Sequence, residues 1–294
     1  MTTLEKAPVA AVDGVAPTPR GAPSWRVNWP GGIGALLWLV VVVVPIYWVL
    51  VTSLRTQQDF FGDHPLAAPA EPTLENYRMV FEAGFARYFL NSGVVTVVAV
   101  ALTVFVSLLA AYTIVRSGRA WAGRAFSLFL LGLAIPVQSA IIPIFWMITR
   151  LGLYDSLTAI ILPSAAFAIP ITVIIFCSFM RDVPGELFES MRLDGAGEWR
   201  ILWRLVLPLS KPAILTAAIY NGVNVWNNFL FPLVLTQSEG TRTLPLALWT
   251  FQGELTINVP AMMAAVVLSA LPPLTLYVFG RRQLVAGLTA GFGK

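Results

Sequence analysis

Six stretches of this chain run apolar for twenty residues or more, at 33–53, 91–115, 125–149, 157–180, 212–235 and 260–280, and none contains Asp, Glu, Lys, Arg or His. A bilayer core about 30 Å thick takes about 20 such residues per helical crossing, and among single segments only a helix satisfies its own backbone there. The pattern predicts an all-α polytopic membrane protein with six transmembrane helices over residues 31–294. Residues 1–30 carry scattered charge among Ala, Pro and Val, without the apolar core or cleavage site of a signal peptide, and read as a disordered tail.

Basic residues give the orientation. When the loops are assigned alternately to the two sides, fourteen of the nineteen Lys and Arg fall on the side of both termini and of the 181–211 loop. The opposite side has Arg55, Arg78, Arg87, Arg150 and Arg242 against eight acids. Both termini and that loop are expected in the cytoplasm, in a cell membrane. The formal +4 is then topology and implies no nucleic acid.

Several functions are excluded by what is missing. Proton-coupled carriers place ionisable groups at membrane depth, and these runs have none. No GxxxxGK[ST] phosphate loop, GxSxG or HExxH occurs, so the chain is not expected to be an enzyme. One cysteine, Cys177, and one histidine, His64, make neither a disulfide nor a metal site.

Two segments carry polar chemistry. In 181–212, Pro184 and Gly185 permit a turn and Glu186 stands in a first helical turn, while Leu187, Phe188 and Met191 make an apolar stripe opposite Glu189 and Arg192. Asp194 is expected to cap a second helix after a reversal at Gly195. That helix has Trp199, Leu202, Trp203 and Val206 on one face, and Pro208 and Pro212 mark entry into the membrane. On helix physics alone the pair could lie in the headgroup layer, with Arg200 and Arg204 on anionic membrane lipid. In the fifth run, Tyr220, Asn221, Asn224, Asn227 and Asn228 share a helical face with Trp226 beside it. The amides could glue helices together, the favoured reading on the residues alone, or could bind a polyhydroxylated solute with aromatic help. Gln138 and Ser139 pose the same choice.

Glu189, Gly195, Leu205 and Leu207-Pro208 stand at the spacing of the EAA loop of ABC-importer permeases, with Ser190, Met191 and Leu205 departing from its residues. Glu75-Asn76-Tyr77 leading to Phe89-Leu90-Asn91-Ser92, the run from Trp226 to Leu233, and the tail from Arg282 to Gly291 resemble the smaller permease subunit of maltose-type carbohydrate importers. The resemblance implies a type I ABC-importer permease fold carrying sugar or oligosaccharide inward. It further implies a second, non-identical permease, an ATPase subunit dimer and an extracytoplasmic solute-binding protein. ATP and Mg would sit on the ATPase, leaving no cofactor in this chain. Glu186, Leu187, Phe188, Glu189, Met191, Arg192, Asp194 and Gly195 would form the coupling segment seated on the ATPase. Gln283, Leu284, Gly287, Thr289 and Gly291 would reach the ATPase from the tail, and loop 236–259 would enter the binding protein. Tyr220, Asn221, Asn224, Trp226, Asn227 and Asn228 would line the solute path. Alternatives are a glycerophosphodiester or polyol solute, or a facilitator with no ATPase.

Overall fold

Most prolines of the apolar runs (Pro45, Pro143, Pro163, Pro170, Pro272 and Pro273) lie inside helices, and two runs break at other places, one at Pro136 and one at Asn227. The computed structural model describes residues 29–62, 64–248 and 258–289, those from 281 onward as backbone only. Its helices of more than four residues are α1 (Trp29–Ser53), α2 (Glu75–Glu82), α3 (Phe85–Arg116), α4 (Ala120–Gly132), α5 (Val137–Arg150), α6 (Leu157–Arg181), α7 (Gly185–Leu193), α8 (Glu198–Leu209), α9 (Lys211–Trp226), α10 (Leu230–Leu235) and α11 (Val259–Thr289). No strand occurs among the described residues. The chain divides into two units, Met1–Pro45 and Ile46–Lys294, and the description below concerns the second.

Among the described residues four helices are long and apolar enough to cross a membrane, α1, α3, α6 and the 259–280 part of α11, or up to six crossings if each of two bent pairs is one span. The third run is not one straight helix. α4 ends at Gly132, α5 starts after Pro136, and the two meet at 101°. Pro136 donates no N–H and turns Ile135 away from helical geometry. The fifth run also breaks. Asn227 closes α9, and the Asn228 carboxamide oxygen accepts the Phe231 N–H at 3.1 Å, starting the short α10. α8 and α9 form a second bent pair, at 72°. The last helix passes the end of its apolar run at Gly280 and continues to Thr289. α1 begins at Trp29, two residues inside the expected tail, whose residues 1–28 lie outside those described.

α3 and α6 make the most extensive helix pair. Ala99, Thr103, Ser107 and Ala111 recur every fourth residue of α3, each fully buried, so the two backbones approach closely. Thr103 Oγ1 donates to the Ala99 carbonyl at 2.7 Å and to that of Ala165 across the interface at 3.4 Å, and Ser107 Oγ donates to Ile169. Phe176 and Val173 of α6 fill the adjoining core with Ile201 and Val206 of α8. α9 and α11 touch through glycine, since a Cβ on Gly280 would stand 2.2 Å from Ile219 Cδ1.

Candidate functional site

The 181–211 segment folds as two short helices joined by a tight reversal. Asp194 is the C-cap of α7, not the cap of the following helix, and Gly197 stands at the start of α8. Gly195 has φ +76°, its N–H donates to Arg192 O at 3.0 Å, and the Ala196 N–H donates to Met191 O at 2.9 Å. These two bonds are the Schellman arrangement, which satisfies carbonyls at a helix end and places a left-handed residue just past the cap. Both Met191 and Ala196 belong to the core cluster beneath the turn.

α7 is anchored on one face. Phe188, 3% exposed, stacks on Tyr112 of α3, and the Arg116 guanidinium lies 3.4 Å from the Phe188 ring centre. Arg116 also donates to the carbonyls of Val183 and Met180 beyond the end of α6 and in its last turn. The Tyr112 hydroxyl donates to Glu198, whose other carboxylate oxygen pairs with Arg192 at 3.0 Å. Two transmembrane helices, α7 and α8 are thereby clamped at one point. The opposite face of α7 presents Glu186, Glu189, Ser190 and Leu193 at i, i+3, i+4 and i+7, all exposed, with Leu193 89% exposed. Leu187 lies at the margin. Ser190 thus stands on the outward surface and Met191 inside, which sorts two of the three departures from the EAA pattern. Leu193 was missed because the inward stripe drew attention; it lies off that stripe, and its outward register with Glu186 and Glu189 was readable.

In α8 the expected apolar face splits. Leu202 and Val206 are buried with Ile201, whereas Trp199 and Trp203 stay 64% and 50% exposed beside Arg200 and Arg204. A π-helical turn over Leu202–Val206 interrupts the 3.6 period within this helix.

The polar face of α9 divides between two hollows. Tyr220, Asn221, Asn224 and Asn228 line a cleft of about 340 Å³ with Ser164 and Phe167 of α6, at the bend between α4 and α5. Trp226 and Asn227 line another, of about 250 Å³, against α11, where the indole N–H donates to Ser269 O at 3.1 Å. Asn221 is 2% exposed and donates to Thr172 Oγ1 at 2.8 Å, an interhelical bond. Asn224 donates to Tyr220 O at 2.8 Å, which leaves its carboxamide oxygen open to the cleft. Asn228 uses its oxygen on Phe231 and leaves its NH2 open. The Ser164 hydroxyl is buried and has no hydrogen-bond partner among the described residues. Gln138 and Ser139 are exposed near the start of α5 and do not line the cleft. Among the described residues, no acidic or basic side chain lines it.

At the other end of the bundle, loop segments are tied to the helices. The Asp155 carboxylate accepts the N–H groups of Gln237 and Ser238 at 2.8 and 3.0 Å and the Thr241 hydroxyl at 2.7 Å. These bonds, the two backbone ones foremost, hold its pKa well below the ordinary carboxylate range. Asn91 donates to Gly240 O and Arg242 O, and Ser92 Oγ accepts the Leu244 N–H. Asn76, 3% exposed, donates to Ser53 O and Arg55 O, while the Tyr77 and Ser53 hydroxyls meet at 2.9 Å. The quoted Asn76-Tyr77 and Asn91-Ser92 motifs therefore fasten loops. Residues 249–257 of the 236–259 loop, the side chains of Gln283, Leu284 and Thr289, and Gly291 lie outside the described residues.

A family model described as "Binding-protein-dependent transport system inner membrane component" matches residues 83–289. A putative ABC transporter permease protein of Caldicellulosiruptor sp. is 38% identical over 88% of this chain and 94% of its own length. A diacetylchitobiose uptake system permease protein of Streptomyces coelicolor is 32% identical over 87% and 85%, and an arabinooligosaccharides transport system permease protein of Halalkalibacterium halodurans 32% over 90% and 95%. Among solved structures, a bacterial ABC transporter involved in import of the polysaccharide alginate superposes with a TM-score of 0.77 at 20% identity, covering 90% of this chain and 99% of that one, a likeness of fold. On these matches the chain belongs to the family of inner membrane components of binding-protein-dependent transport systems, multi-pass ABC transporter permeases.

Proposed function

We propose that the chain is one of two non-identical permease subunits of an ATP-driven importer for a neutral sugar or oligosaccharide. The observation that carries the solute reading is the 340 Å³ cleft, lined by Tyr220, Phe167, the open amide atoms of Asn224 and Asn228 and the partnerless Ser164 hydroxyl, without a charge. A buried hydroxyl with no partner costs free energy that a solute hydroxyl would recover. Aromatic walls with a few directed polar groups suit a pyranose. A phosphodiester would call for a guanidinium or ammonium, and none lines the cleft. Relatives named for diacetylchitobiose and arabinooligosaccharide uptake support a carbohydrate.

The distribution of Lys and Arg supports placing α7, α8 and both termini in the cytoplasm. There the outward row of Glu186, Glu189, Ser190 and Leu193 would seat on one subunit of an ATPase dimer that holds ATP and Mg. An exposed leucine flanked by carboxylates fits a partner surface better than it fits water. Force applied to α7 would pass through Phe188 into Tyr112, Arg116 and the ends of α3 and α6, biasing the bundle between two states. The family's description supports a solute-binding protein on the other side, against the loop held by Asp155 and Asn91. The tail around 283–291 is assigned to the ATPase interface by resemblance alone.

The test is a pull-down of tagged chain from native membranes, with ATP hydrolysis assayed in each eluate for wild type, Glu189→Ala and Gly195→Pro. The proposal expects a second permease and an ATPase stimulated by binding protein and sugar, with both variants uncoupled. A chain that elutes alone, or hydrolysis indifferent to both substitutions, would instead support a facilitator. Asn224→Leu should lower sugar uptake while leaving assembly intact.

A further inference from the structure

A hollow of about 380 Å³ opens where the linker between α3 and α4 passes α7, and three guanidinium groups line it, those of Arg116, Arg119 and Arg192. Glu198 is the single carboxylate in its lining, and it is already engaged by Arg192 and by the Tyr112 hydroxyl. Arg119 is exposed and has no ion pair among the described residues. Arg116 lies over Phe188, and its Nε is buried without a hydrogen bond. A preference for basic residues on one side of a membrane explains their sign but not their convergence on one cavity. Arg116 is held by the Val183 and Met180 carbonyls and Arg192 by Glu198, so the Arg119 fork is the open one, and the net positive lining around it matches a phosphate, which a guanidinium binds in bidentate fashion.

The remaining wall gives the source of that phosphate. Trp121, in the first turn of α4, lines the hollow and is 42% exposed. Leu128 stands seven residues on, on the same helical face, and is 73% exposed. An exposed indole beside the basic groups and an exposed leucine two turns further into the apolar run offer a hydrocarbon chain an apolar surface, which a free phosphate would not use.

We propose that this hollow binds an anionic phospholipid, its phosphate held by Arg119 in the positive field of Arg116 and Arg192, its glycerol against Trp121 and one acyl chain along Leu128. The site adjoins the Phe188 anchor of α7, so the lipid would brace the α3–α4 linker against α7. The assignment is independent of which solute is carried.

Full-length chain purified in detergent with equal phosphatidylglycerol and phosphatidylcholine is read by native mass spectrometry. Arg119→Gln removes the exposed cation without disturbing any contact, and Arg124→Gln, an exposed cation of α4 outside the hollow, is the control. Wild type should retain phosphatidylglycerol over phosphatidylcholine, Arg119→Gln should lower that retention about fivefold, and Arg124→Gln should leave it unchanged. Leu128→Ser should lower lipid retention as well, and excess inorganic phosphate should not displace the lipid. Equal losses in Arg119→Gln and Arg124→Gln would overturn the proposal in favour of diffuse surface charge. Full displacement by inorganic phosphate with no effect of Leu128→Ser would overturn it in favour of a soluble phosphate. Unchanged lipid with loss of co-purifying ATPase from Arg119→Gln would make the hollow a protein contact.

Discussion

Gly195 offers a clean separation of backbone conformation from packing. Its φ of +76° is left-handed, and a Cβ built there meets nothing within 4 Å, so substitution by alanine carries a conformational cost and no steric one. That cost is about 1–2 kcal/mol. Gly185, at the start of the same helix, also has open space around a Cβ, but without positive φ, and alanine there should favour the helix by about 0.5–1 kcal/mol. The two variants should therefore differ by about 1.5–3 kcal/mol in opening of the α7 reversal, on the order of 10- to 100-fold in exchange rate. Hydrogen exchange of the Asp194, Gly195 and Ala196 amides reads this directly, since their bonds to Ser190, Arg192 and Met191 define the turn. Gly195→Ala should accelerate them, Gly185→Ala should not, and Gly195→Asn should recover much of the loss, because asparagine tolerates left-handed geometry. If Gly195→Ala exchanges like wild type, or Gly195→Asn is as fast as Gly195→Ala, the reasoning fails.

Gly280→Ala should destabilise the contact of α9 with α11 by about 1–3 kcal/mol through collision with Ile219 Cδ1, and Ile219→Val should relieve part of it; thermal denaturation of the two singles and the double shows the coupling. Asn221→Ala should cost about 0.6 kcal/mol, up to about 1.7, from the lost bond to Thr172, and should lower stability more than Asn224→Ala, whose side chain bonds only within its helix. Asp155 has a depressed pKa in the folded state, so its contribution is complete above its unfolded value near 3.9 and is lost only as pH falls through the lower folded value. Limited proteolysis of the 236–242 segment should accordingly stay slow from neutral pH down to about pH 4, whereas Asp155→Ala should be cut readily at pH 7.

The six apolar runs were legible because bilayer thickness fixes their length and an ionisable side chain is expensive inside it. Their breaks were not, although the residues responsible were in view. Pro136 and Asn227 each sit within a run whose average polarity is low, and a spanning criterion that averages over about 20 residues is blind to one missing N–H. The reversal after α7 was placed correctly at Gly195, but the cap was assigned to the wrong helix. Asp194 is a good cap for either neighbour by residue type, and only the φ of Gly195 and the carbonyls it closes on decide that it ends α7.

The polar face of α9 shows a deeper limit on reading function from periodicity. A shared face at 100° per residue says which side chains point the same way, yet this face meets α6 at Asn221 and a cleft at Asn224 and Asn228, while Asn227, next to buried Trp226, turns to α11. The choice between helix glue and solute path was therefore a choice residue by residue, not between two readings of one motif. Asn221 is committed to Thr172, and the atoms left without a partner belong to Ser164, Asn224 and Asn228. Ser164 could not have been found from α9 at all, because it comes from another run, and only the crossing of α6 with α9 brings its hydroxyl to the same cleft.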